Sequence, residues 1–186
     1  MRRFILPVAA FAALAILPAQ AAAQELAARF EEVCLKTNAD PAKVVAKAEA
    51  MGFEPFQAPP VANLQEVRGF NKVIDGKGWA IVSASGVAPA GGGAPAQRMK
   101  ACNVSSDDPQ EISVRAVGQM LGNPELGQSG KEMYFFTEEN GRRTVLNPAD
   151  NAAVMAALNG RGFWIALIMK EGDTRSISII HSVAAK

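Results

Sequence analysis

The sequence predicts an α+β fold, a mainly antiparallel sheet of about six strands built from hairpins with helices packed on one face. Two adjacent early segments carry apolar residues at helical spacing. Several later segments alternate apolar and polar residues and break at Asp75-Gly76, Asn140-Gly141 and Gly172-Asp173, the dipeptides that suit tight hairpin turns. No regular alternation of strand and helix runs through the chain, which argues against a parallel sheet.

The first residues read MRRFILPVAAFAALAILPAQAAAQ: two arginines, a short apolar run and the small-residue exit Ala21-Ala22-Ala23. This is the pattern of a secretory signal peptide, and its apolar run falls short of the roughly 20 residues that span a bilayer. Residues 1–23 are therefore expected to be removed, leaving a single domain over 24–186. The alanine-rich, arginine-led leader is bacterial in style, so the expected destination is the periplasm. Loss of Arg2 and Arg3 leaves 17 basic against 18 acidic residues, a formal charge of −1. That balance offers no basic footprint for nucleic acid or anionic lipid. No later stretch is long and apolar enough for a membrane span.

After the leader, ELAARFEEVCLKT places Leu26, Phe30, Val33 and Cys34 on one helical stripe. A second helix is expected from Asp40 as N-cap and Pro41 at the first position, through Val44, Ala48 and Met51, to a stop at Gly52. FEPFQAPPVAN has three prolines and no period, and reads as an extended surface connection. EVRGFNKVIDGKGWAIVSAS reads as a hairpin about Asp75-Gly76. SGVAPAGGGAPA (residues 85–96) reads as a mobile hairpin loop; its three glycines lack the strand-to-helix junction and the Gly-Lys-Ser/Thr of a phosphate loop. AQRMKACNVS reads as the strand that carries Cys102.

A third helix has a capping box, Asp108 with Pro109 and Glu111, and a stripe of Ile112, Ala116 and Met120 ending at Gly122. KEMYFFTEENGRRTVLN is a second hairpin about Asn140-Gly141, which sets Glu139 opposite Arg142 and Glu138 opposite Arg143 as a solvated tip. ADNAAVMAALNG is a short helix. FWIALIMKEGDTRSISIIHSV closes the chain as two long strands.

Cys34 and Cys102, the two cysteines of the chain, lie 68 positions apart. In an oxidising compartment such a pair is normally closed, and closing a loop of that length contributes about 4 kcal/mol on the chain-entropy model. Neither belongs to a C-x-x-C pair. With His181, the single histidine, they would supply at most three metal ligands in a spacing unlike known zinc patterns, so no metal and no cofactor is expected. A Cys-His nucleophile is the remaining catalytic reading of these residues.

His181 shares the alternation of Ile177, Ile179 and Val183. The structural reading is an imidazole on the apolar face of the last strand, hydrogen-bonded to a neighbour. The functional reading, a proton acceptor in a cleft, needs a serine or carboxylate supplied by the fold. No G-x-S-x-G, H-E-x-x-H or S-x-x-K nominates one.

FEEVCLKTNADPAKVVAKAEAMGF, followed by CNV and a capped helix, resembles a recurring layout in small exported proteins of proteobacteria. The resemblance implies an exported, disulfide-linked domain and brings no activity or site residue with it. The expected function is that of a periplasmic binding or interaction domain for a protein or small-molecule ligand. The alternatives are a hydrolase with its site near His181 and a structural component of the envelope.

Overall fold

The computed structural model describes residues 25–61, 64–107, 112, 114–122 and 133–185; the expected leader lies outside them. Residues 25–35 form helix α1, whose last five, Glu31–Leu35, are wound as a π-helix. Helix α2 is Pro41–Ala50, α3 is Val114–Met120 and α4 is Asn151–Asn159. The strands are β1 (Glu54–Phe56), β2 (Glu66–Ile74), β3 (Lys77–Ala88), β4 (Gln97–Ser106), β5 (Met133–Glu139), β6 (Arg142–Val145), β7 (Phe163–Glu171) and β8 (Thr174–Ala184). They make one sheet in the order β1-β2-β3-β4-β8-β7-β5-β6, with every pairing antiparallel.

The local signals act as their chemistry requires. Asp40 caps α2, its carboxylate accepting from the Lys43 amide at 3.1 Å. Gly52, at φ +72°, ends that helix, with Phe53 N donating to Ala48 O and Gly52 N to Glu49 O; these two bonds define a Schellman motif. Asp150 caps α4 through the Ala153 amide at 3.0 Å. Asp75-Gly76 and Asn140-Gly141 turn their hairpins with both residues at positive φ, the geometry whose twist matches that of the flanking strands. Helix α3 stops at Gly122, at φ +73°; its expected start, Asp108-Pro109 with Glu111, lies outside the described residues.

The sheet has eight strands rather than about six. One addition is β1, in the segment expected to be a plain connection. A three-residue strand shows no period, and Pro55 is tolerated because β1 is an edge. Phe56 packs on Gly69, where an added Cβ would meet its ring at 2.8 Å. A second difference is the length of β3, which continues to Ala88, so that Ser85–Ala88 belong to the sheet and the loop shortens to 89–96. Within that loop a Gly91–Ala94 bridge closes a turn through Gly92 and Gly93.

Register sorts the side chains into two faces. On the front, Phe70, Ile81, Val104, Ile177 and Ile168 form one row, joined in the main core by Phe30 and Val33 of α1, Val44 and Ala48 of α2, and Val117 of α3. The Cys34–Cys102 disulfide ties α1 to β4 across this core, and both residues are fully buried. Trp164 and Ala166 of β7 also face front, whereas the intervening Phe163 and Ile165 face back and pack with Leu158 and Val154 of α4 and with Leu146. The helices thus occupy both faces, not one. FWIAL is apolar on alternate and intervening positions alike, so β7 needs cover on both sides.

Candidate functional site

Beyond the core rows the front face continues past the N-terminal end of α2. The next row, read across the strands, is Glu66, Ser85, Lys100, His181, Trp164 and Phe136. The last row is Val87, Arg98 and Val183. Phe136 and Trp164 close the inner row inside the main core, whereas its remaining four residues and the last row form a shelf below an open hollow of about 640 Å³ lined by Pro41, Gln65, Val87, Arg98, Lys100 and His181 among others. Its rim is fixed by an amide that imitates a neighbouring strand: Gln65 donates through Nε2 to the Val87 carbonyl at 3.1 Å and accepts from the Val87 amide at 2.7 Å.

Each polar group of the inner row is held by a different partner. Ser85 Oγ donates to a Glu66 carboxylate oxygen at 3.0 Å. Lys100 Nζ donates to the Asn38 carbonyl at 2.7 Å, at the end of α1, and lies 5.1 Å from the centre of the Trp164 ring. His181 stacks obliquely against Trp164, with ring centres 4.4 Å apart, and its Nε2 lies 3.1 Å from the Arg161 carbonyl. A carbonyl only accepts, so Nε2 carries the proton and Nδ1 is the basic nitrogen of the neutral ring. Burial lowers the His181 pKa, the Arg161 carbonyl opposes that shift, and the Lys100 charge adds to it. The ring is neutral at pH 7. Burial also lowers the Lys100 pKa.

The His181 contact depends on a glycine. Gly162 sits at φ +87°, and a Cβ there would fall 2.3 Å from the Ser182 carbonyl and 2.7 Å from His181 Nε2. Only glycine lets the turn after α4 run close enough to β8 to bring the Arg161 carbonyl to the ring.

The arrangement bears on catalysis directly. Nucleophilic chemistry needs a hydroxyl or thiol hydrogen-bonded to its base. No hydrogen bond among the described residues joins Ser85, Lys100 and His181 to one another, and the thiol candidates Cys34 and Cys102 are consumed in their disulfide. No group of three or more His, Cys, Asp or Glu among the described residues is placed to hold a metal ion. No family model, curated protein or solved structure matches the chain.

Of the shelf residues, sequence reading singled out His181 alone. The local pattern puts Ser85 in a loop and gives no signal for Glu66, Arg98 or Lys100, which line up through the β2–β3 and β3–β4 pairings and meet His181 only when β4 pairs with β8. The charged hairpin tip forms as its spacing predicts, with Glu138 paired to Arg143 at 2.8 Å. Glu139 faces Arg142 in register, yet its ion pair is with Arg161, at 3.2 Å between exposed side chains. A second hollow, of about 680 Å³, runs between α2 and β2 and shares Pro41, Gln65 and Glu66 with the first.

Proposed function

We propose that the chain is an exported periplasmic binding domain, a single unit over residues 24–186 once the leader is removed, and that its ligand rests on the shelf beyond α2. The observation that carries this reading is the commitment of Ser85, Lys100 and His181 to three separate partners beneath an open hollow. Groups so held present fixed donors and acceptors to a ligand, as binding sites do, but lack the mutual hydrogen bonds of a nucleophile and its base. The buried disulfide suits an oxidising compartment. No helix among the described residues is long and apolar enough to cross a membrane.

The test is chemical-shift mapping of the purified, isotope-labelled protein against a soluble extract of the producing cell's periplasm. Saturable shifts gathered at Val87, Lys100, His181 and their neighbours support the reading. Shifts gathered elsewhere would move the site. Hydrolysis of a simple aryl ester that disappears in His181→Ala would replace binding by catalysis.

A further inference from the structure

The geometry points to a carboxylate site: Arg98 takes the single carboxylate of a ligand whose apolar body lies over Val87, Val183 and Pro41. This rests on the shelf being the binding site and names the chemical class of what binds there. Arg98 is an exposed cation whose side chain makes no hydrogen bond or ion pair among the described residues, and its two neighbours in register are valines. Val87 is 48% exposed although it stands on the front face of an inner strand. An arginine between an exposed and a half-buried valine matches an amphipathic acid, since its planar fork pairs with both oxygens of a carboxylate.

Lys100, the next front residue along β4, adds a second cation. One of its three N–H donors is used by the Asn38 carbonyl, and two remain. Burial disfavours its charge, a cost that an arriving carboxylate offsets.

The other charges around the hollow limit the ligand to one negative group. Glu66 stands on the inner row, and Asp40, Glu138 and Lys43 all act on Lys100. Three cations against three carboxylates leave the surroundings without net charge, which disfavours a phosphate dianion or a nucleotide more than a single carboxylate held by the Arg98 fork. The α2 N-terminus supplies no alternative anion site, because Asp40 already occupies it as the cap.

Octanoate is the probe, titrated into the labelled protein at neutral pH, with octanol, octyl phosphate, an N-acetylated dipeptide ending in valine, and that dipeptide's C-terminal amide alongside. Saturable shifts at Val87, Arg98 and Val183 with octanoate, and none with octanol, are expected. Arg98→Gln should weaken that binding by at least about tenfold while the disulfide and the backbone spectrum stay intact. Octyl phosphate should bind more weakly than octanoate. If the dipeptide acid binds through Arg98 and octanoate does not, the carboxylate is that of a chain terminus. The proposal is overturned if no acid gives saturable shifts at millimolar concentration, if octanol or the dipeptide amide binds as well as its acid, or if Arg98→Gln binds unchanged. Extract-derived shifts on the shelf with all these acids silent would leave the binding reading standing and remove the carboxylate.

Discussion

The Lys100 ammonium donates to the Asn38 carbonyl two positions along β4 from Cys102, whose disulfide partner Cys34 lies four residues before Asn38. Two ties therefore join the end of α1 to one stretch of β4. Asn38 and Ala39 take positive φ, and Ala39 N donates to Cys34 O at 2.8 Å, so the chain folds back over Lys100 before α2 begins. The disulfide thus does more than hold the core. It fixes the turn that walls the shelf.

Replacing either cysteine should show this. Cys34→Ser and Cys102→Ser are each expected to cost about 4 kcal/mol in denaturant unfolding, and the double variant should cost little more than either alone, because both remove one bond. The Lys100 and His181 resonances should shift in all three. Two free thiols in protein taken directly from cells would contradict the bond itself.

Gly162→Ala tests the close approach at β8. The variant meets the Ser182 carbonyl and His181 Nε2 and keeps a left-handed backbone, so a loss of about 1–3 kcal/mol is expected. The His181 ring signals should move with it. Gly141→Ala, also at positive φ but with nothing near its Cβ, should leave the His181 signals in place.

Stability should depend on acid in two separate ranges. His181 titrates below its ordinary value of 6.5 in the folded protein, so the unfolded chain takes up a proton first. Its contribution is complete above pH 6.5 and falls as pH drops from there towards the folded value. His181→Gln should remove that slope. Glu32 is held down at about 2 by hydrogen bonds to Lys36 and Lys47 and by their charges. Its contribution is present above the ordinary 4.5 and disappears as pH falls towards 2. Glu32→Gln should flatten the curve in that lower range only.

Between residues 64 and 107, the loop 89–96 should be the first site of proteolysis and the fastest-exchanging stretch. Its only internal backbone ties are the two Gly91–Ala94 hydrogen bonds, and Gly92 and Gly93 have nothing within reach of a Cβ. Amide protection there equal to that of β3 would refute this.

The sequence by itself determined the antiparallel α+β class, the caps and stops of α2, the two turns with paired positive φ, the opposed charges of the second hairpin and the stripe that buries Cys34. All of these are decided within a few residues, by a side chain bonding its own backbone, by glycine or asparagine tolerating positive φ, or by periodicity. The tertiary structure alone decided the strand order, the cover on both faces of β7, the edge strand β1 and the row that joins Glu66, Ser85, Lys100 and His181. Lys100 and His181 stand 81 positions apart, and no local rule relates them. Their meeting follows from burying Cys102 and Val104 of β4 beside Ile179 and Ile177 of β8 in one register, which is a property of the assembled sheet.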